Sequence, residues 1–235
     1  MLELNQVYNM DCMERMARFP HGYFDLAIVD PEWGRKEHGG KDRSSFAKQK
    51  NGSRIWVKDA GYKKYDWDCH AVGDHYFSEL FRVSKHQIIW GCNYFGRSFG
   101  PGRIVWDKVN GESDQSDCEL AYNSLTDRVD LIRYMWAGMM QGKSISEGHI
   151  MQGDKSKNEK RIHPTQKPVV LYKWQLSTYA KPGWKILDTH SGSASHFIAC
   201  MDLGFDCIAF EKERDYYQDS IDRINDFKAQ LKLFS

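Results

Sequence analysis

At 235 residues with 41% hydrophobic side chains, the chain is long enough for one large domain around a sizeable core. An aromatic fraction of 14% excludes a disordered chain, and a mean hydropathy of −0.66 speaks against burial in a membrane. The net charge of +1 is silent on nucleic acid, so any such partner must be sought in local clusters of charge.

In chain order, Met1-Leu2-Glu3-Leu4-Asn5 lacks the basic segment and apolar core of a signal peptide, and no apolar run reaches ~18 residues. A cytosolic protein with no membrane partner is the expectation. Cys12, Cys69, Cys92, Cys118, Cys200 and Cys207 contain no Cys-x-x-Cys pair, so neither a zinc site nor a disulfide framework is signalled, and reduced, mostly buried thiols are expected. Short apolar, β-branched runs predict buried strands over 25–30, 87–91, 103–106, 185–188 and 206–210. Helical patterns fall over 75–83, 168–180, 195–203 and 214–233. This alternation predicts an α/β domain with a mostly parallel sheet covered by helices on both faces. Two polar stretches, 34–67 and 142–161, interrupt it and read as functional loops.

The first stretch is charged in a telling way. Between Gly34 and Tyr65 stand ten Lys or Arg against three acids, an excess of 10 − 3 = +7, interleaved with Phe46, Trp56, Tyr62 and Tyr65. Basic side chains among aromatics suit phosphates and unstacked bases. Lys41, Arg43, Lys48 and Lys50 are the candidate DNA contacts.

Three segments carry chemistry. The strand over 25–30 runs into Asp30-Pro31-Glu32-Trp33, which places a carboxylate and an indole at a carboxyl strand end, where open α/β sheets bind ligands. The strand over 185–188 runs into Thr189-His190-Ser191-Gly192-Ser193-Ala194-Ser195 and then a helix. Small residues let backbone amides approach a ligand there, and the helix start adds positive partial charge. Neither a P-loop nor the full dinucleotide glycine pattern is present. Glu211 closes the next strand, the position at which such folds hold ribose hydroxyls. The third segment, His163-Pro164-Thr165-Gln166-Lys167-Pro168, precedes a helix and is more specific than capping requires.

Together these segments resemble the DNA amino-methyltransferases, in the permuted class whose catalytic motif precedes its cofactor motif. Asp30-Pro31-Glu32-Trp33 is similar to the family's Asp-Pro-Pro-aromatic, residues 163–168 match its His-Pro-Thr-Gln-Lys-Pro without change, and 188–195 resemble its Asp-Pro-Phe-x-Gly-Ser-Gly-Thr. Further likeness lies in 8–12, 88–95 and 105–108, so the resemblance covers most of the chain. It implies a seven-stranded Rossmann-like methyltransferase sheet binding S-adenosylmethionine, and one domain with a catalytic half over 1–108, a target recognition insertion over 109–161 and a cofactor half over 162–235. It implies that Asp11, Asp188, Ser191, Gly192, Ser193 and Glu211 line the cofactor, with Thr165 and Lys167 near its methionine end. Asp30, Pro31, Glu32 and Trp33 become catalytic: Asp30 and the Pro31 carbonyl accept the hydrogens of a base amine, N6 of adenine, in a nucleotide flipped out of double-stranded DNA, and Trp33 stacks on it. Glu32 for Pro, Thr189-His190 for Pro-Phe and Ala194-Ser195 for Gly-Thr depart from the pattern. Glu32 is expected to weaken the catalytic loop, so that proline there speeds methylation. A catalytically impaired nucleic-acid-binding form, or methylation of N4 of cytosine or of RNA, are the alternatives.

Overall fold

The computed structural model describes residues 2–36, 44–48, 53–57, 67–110, 116–137 and 140–232. In chain order these form β1 (Gln6–Asn9), α1 (Cys12–Met16), β2 (Phe24–Val29), β3 (Ser45–Lys48), β4 (Arg54–Val57), α2 (Asp74–Val83), β5 (Ser84–Trp90), β6 (Arg103–Asp107), β7 (Cys118–Asn123), β8 (Val129–Arg133), β9 (Trp136–Ala137), β10 (Met140–Gln141), α3 (Val169–Tyr179), β11 (Lys185–Asp188), α4 (Ser195–Leu203), β12 (Asp206–Glu211) and α5 (Arg214–Lys232).

One eight-stranded sheet has the order β1-β12-β11-β2-β5-β7-β6-β8. Within this sheet β7 alone runs against the others. Period-two alternation divides each central strand between two cores, as a sheet buried on both faces requires. Leu26, Ile28, Ile88, Trp90, Ile186 and Ala209 pack with Leu171 and Leu176 of α3, Phe197 of α4 and Ile224 of α5. Ala27, Val29, Ile89, Leu187, Ile208 and Phe210 point the other way, toward Met16 of α1 and Tyr76, Phe77 and Leu80 of α2. Helices therefore cover both faces, as the alternation predicts.

β11 and β2 are hydrogen-bonded neighbours with Ile186 opposite Leu26. From this pair the chain departs in opposite directions, through α4 to β12 on one side and through α2 to β5 on the other. A crevice opens at the carboxyl ends of two such strands. Asp30 and Thr189 are the first residues beyond them.

The structure adds an eighth strand to the seven that the resemblance implies, because β8 pairs in parallel with the free edge of β6. Both β7 and β8 come from the stretch read as an insertion, 109–161. Within the other polar stretch, β3 and β4 form an antiparallel hairpin with Phe46 opposite Trp56 where only a loop was expected; four-residue strands amid lysines carry too little periodicity to be seen. Lys41, Arg43 and Lys50 lie outside the described residues, and Lys48 ends β3. Among the described residues no helix is long and apolar enough to cross a membrane, and no group of three or more His, Cys, Asp or Glu is placed to hold a metal ion.

Candidate active site

Asp30 stands at the end of β2 with its carboxylate held from one side. Oδ2 accepts a hydrogen bond from Lys167 Nζ, Lys167 lies 3.1 Å from Glu119, and Glu119 takes Lys108 at 2.7 Å. Four charges of alternating sign run inward from the strand end. Burial pushes the Asp30 carboxyl up; Lys167 opposes the rise and Glu119 adds to it. Burial also favours a neutral Lys167, but Asp30 and Glu119 together hold its ammonium in the charged form. Asp30 Oδ1 is buried and has no partner among the described residues.

The six residues 163–168 earn their specificity by building this arrangement. Gln166 is buried: its carbonyl accepts from Trp136 Nε1 at 2.7 Å, its Oε1 from Ile162 N at 2.9 Å, and its Nε2 donates to Glu159 at 2.9 Å. Thr165 does not cap α3, since its hydroxyl meets His163 Nδ1 at 3.2 Å. The cap comes from afar, with Val169 N donating to Glu159 Oε2 at 3.0 Å. Glu159 also pairs with Arg223, so the polar stretch 142–161 ends in a knot that fixes the turn presenting Lys167. Burial pushes His163 down to about 3, a neutral imidazole edge-on to Tyr216 at 4.2 Å.

The turn from β11 to α4 is a backbone construction. Gly192 has φ +49°, where a residue without Cβ is unstrained, and its amide donates to Glu211 Oε2 at 2.7 Å. Glu213 N donates to Oε1 of the same carboxylate at 2.8 Å. Burial nonetheless lifts Glu211 to about 7, against these two amides. Ala194 occupies the family's glycine position at φ 60°, ψ 22°, a left-handed conformation costing an alanine about 1–2 kcal/mol.

Both constructions face one cavity of about 370 Å³, within the range of small-molecule sites, roughly 300–1,000 Å³. Asp11, Asp30, Glu32, Thr165, Lys167, Ser191, Gly192, Ser193 and Glu211 all line it. Asp11 is also the N-cap of α1, accepting from Met13 N, and pairs with Lys212 at 3.2 Å. Asp188, Pro31 and Trp33 do not line the cavity. Asp188 sits behind its wall, accepting from His190 N at 3.1 Å with His196 Nδ1 3.3 Å from its other oxygen. Trp33 carries Tyr94 stacked at 5.1 Å and the Lys167 ammonium 4.7 Å from its ring centre. A Cβ on Gly91 would come within 2.2 Å of the indole nitrogen, so the glycine of Trp90-Gly91-Cys92 makes room for Trp33. The expected stacking of Trp33 on a base therefore competes with partners it already has.

Three residues central to this geometry escape sequence reasoning. Tyr76 lines the cavity but reads as one more apolar position of an amphipathic helix. Glu119 and Glu159 lie in stretches whose polar character hides single important carboxylates.

With two strand ends, an oriented carboxylate, a glycine turn and an acid meeting at one cavity, comparison with known proteins is decisive: the DNA methylase model of the N6/N4 methyltransferases matches residues 28–222. The chain belongs to this family. It is similar to the Type II methyltransferase M.HinfI of Haemophilus influenzae, 23% identical over 96% of this chain and 69% of that one, and to M.HpaI of Haemophilus parainfluenzae, 22% identical over 92% and 72%. The solved PvuII DNA methyltransferase, described as cytosine-N4-specific, shares the fold at 14% identity and a TM-score of 0.50, over 94% of this chain and 90% of that one. The sheet is the mostly parallel, Rossmann-like sheet of the methyltransferases.

Proposed function

We propose that this DNA methylase moves a methyl group from S-adenosylmethionine to N6 of adenine in duplex DNA. The carrying observation is that Asp30, with one carboxylate oxygen held by Lys167 and the other unpartnered among the described residues, shares a cavity wall with the Gly192 turn and Glu211. The residues present suit the donor. Glu211 offers an acid for ribose hydroxyls, Ser191 Oγ is a buried polar atom without a partner among the described residues, and Asp11, Thr165 and Ser193 supply further polar wall. When bound, the donor supplies an electrophilic methyl on a positively charged sulfur.

An exocyclic amine is a weak nucleophile because its lone pair is delocalised into the ring. Asp30 Oδ1 would accept one amine hydrogen and, by the resemblance, the Pro31 carbonyl the other, which directs the lone pair toward the methyl; the gain is positioning and electrostatics, and the proton that the methylated nitrogen sheds would leave by way of Asp30 Oδ1. Lys167 fixes which oxygen is presented. The adenine assignment is supported by the resemblance alone, since the motif serves an amine beside a ring nitrogen in either base. Base access requires flipping from the duplex. We assign target recognition to 109–161, and within it to 142–161, because β7 and β8 are committed to the sheet. Phosphate contact we assign to Lys41, Arg43, Lys48 and Lys50: neutralising all four is expected to weaken DNA binding on any sequence and flatten its salt dependence by up to about 0.9 for each phosphate no longer neutralised, and an unchanged salt slope removes them from that role.

Radiolabelled methyl transfer to duplex DNA followed by nucleoside analysis tests the function. Label in N6-methyladenine is expected. Label in N4-methylcytosine reassigns the base, and absence of transfer by a protein that binds S-adenosylhomocysteine makes the chain a binding module.

A further inference from the structure

Glu32 and His190, two of the residues that depart from the family's motifs, meet each other: Glu32 Oε2 lies 3.1 Å from His190 Nε2. One belongs to the loop after β2, the other to the loop after β11, and both line the cavity. We propose that this pair is a positioning clamp that ties the loop carrying Asp30 to the loop that receives the methyl donor. The proposal rests on the donor-site reading above.

Each half of the clamp is anchored from behind. The backbone on the Glu32 side is pinned, with Glu32 O accepting from Val72 N at 3.2 Å and Asp68 accepting from Trp33 N and Gly34 N at 2.9 and 2.8 Å. On the other side His190 Nδ1 meets Thr189 Oγ1 at 2.8 Å, Thr189 Oγ1 meets Tyr76 OH at 2.7 Å, and the His190 ring stands edge-on to Tyr76 at 5.4 Å. The ion pair is the closing link of a chain from α2 through the donor loop to the catalytic loop.

The chemistry explains why the two departures occur together. Proline in place of Glu32 would stiffen the loop through its own ring, whereas glutamate keeps the backbone free and needs a partner on its side chain. Phenylalanine in place of His190 would leave a half-buried carboxylate without its partner, an unfavourable arrangement. Burial pushes Glu32 up, yet His190 more than offsets this and holds it at about 2. His190 likewise stays protonated above its usual range, because Glu32, Glu211 of β12 and Asp188 of β11 overcome its burial. Tyr76 of α2 is pushed far above neutrality and remains uncharged, and Lys212 adds positive charge on the Glu32 side. The pair is neutral as a unit, so it adds no net charge to a wall meeting a cationic donor. Proline alone at Glu32 would strand His190, and the clamp reverses the expectation that this substitution speeds methylation.

Calorimetric titration of S-adenosylhomocysteine into the full chain and into E32Q, H190Q and the double variant tests the clamp. Each single variant is expected to bind about tenfold more weakly, and the double variant no worse than the weaker single, the signature of coupled partners. Below the raised His190 pKa the pair is intact; as pH rises through it the pair is lost, so parent affinity falls on the alkaline side. That fall should vanish in E32Q and in H190Q alike, since neither has the pair to lose. Additive losses, or an alkaline limb unmoved by E32Q, overturn the clamp while leaving the donor site in place. A parent chain that binds no S-adenosylhomocysteine overturns the donor site instead. Should H190Q fail to fold, E32Q against E32D decides: aspartate keeps the charge but is one methylene too short for the 3.1 Å contact, so a clamp loses affinity in both variants, and affinity lost in E32Q alone overturns it.

Discussion

Asp30 after β2 and Glu211 at the end of β12 are two carboxylates on the wall of one cavity, both pushed upward by burial and held by opposite means. Asp30 is gripped by the Lys167 ammonium, which it shares with Glu119, and Glu119 is balanced in turn by Lys108. Glu211 is held by backbone amides of Gly192 and Glu213. Charges can be strengthened or withdrawn residue by residue, so the Asp30 corner is tunable and expensive to disturb. Amides offer a fixed, weaker hold, which leaves Glu211 titrating near neutrality. On the proposed function, the first corner aims a carboxylate at the base and the second meets the donor's ribose hydroxyls.

The comparison breaks most visibly at Asp30. Asp30→Ala is expected to lower the single-turnover methylation rate by about 10²–10³-fold, with S-adenosylhomocysteine affinity little changed, because the hydrogen bonds at stake form with the base and strengthen in the transition state. A rate within about tenfold of the parent would reduce Asp30 to a turn residue.

The next effect is on the pH profile. Asp30 must be ionised to accept a hydrogen, so methylation is lost as pH falls through its raised pKa. Glu119 contributes to that rise, so Glu119→Gln should move the acid limb to lower pH, and Lys167→Met should move it to higher pH. The second change also leaves Asp30 and Glu119 buried without their shared cation, at a stability cost of about 3–5 kcal/mol that thermal unfolding will register. Acid limbs that coincide in parent and Glu119→Gln would show that the four-charge chain is scaffolding without influence on Asp30.

How much of this was legible in the sequence follows the same division. The β2 and β11 strand ends, with Asp30, Gly192 and Glu211, could be read because dense apolar runs interrupted by small or acidic residues leave a strong local pattern. The unaltered 163–168 string placed Lys167 at the cavity but not on Asp30, since an ammonium's partner is chosen by tertiary packing. Glu119 sits on β7, whose Cys118-Glu119-Leu120-Ala121-Tyr122-Asn123 alternates weakly, and β8 exposes Val129 and Leu131, so neither strand announces itself as part of a buried sheet. Asp188 shows the converse: its motif position suggested a cavity residue, and the structure turns it toward His190 N and His196 behind the wall. Glu32 and His190 looked like independent losses from two motifs until the fold brought them together.

The smallest effect sharpens the comparison on the Glu211 side. With its pKa near 7, Glu211 is largely protonated at about pH 6 and ionised at about pH 8. Only the ionised form accepts ribose hydroxyls with both oxygens, so Glu211 ionisation should add a few-fold to the affinity for S-adenosylhomocysteine across this interval, set against the alkaline loss of the Glu32–His190 pair. Glu211→Gln should remove this gain, matching the parent near pH 6 and falling behind it above neutrality. Folding stability should move the opposite way. A carboxyl raised in the folded state binds more protons there than in the unfolded chain, so stability declines by about 1.4 kcal/mol per pH unit between the usual carboxylate range and about 7. Glutamine carries no charge to desolvate and escapes that decline. The variant should therefore unfold at a higher temperature than the parent above neutral pH while binding the donor's product less well. A variant that loses affinity equally at both pH values would mean that the acid acts by shape alone, and that the amide-held corner does not titrate in the range its burial sets.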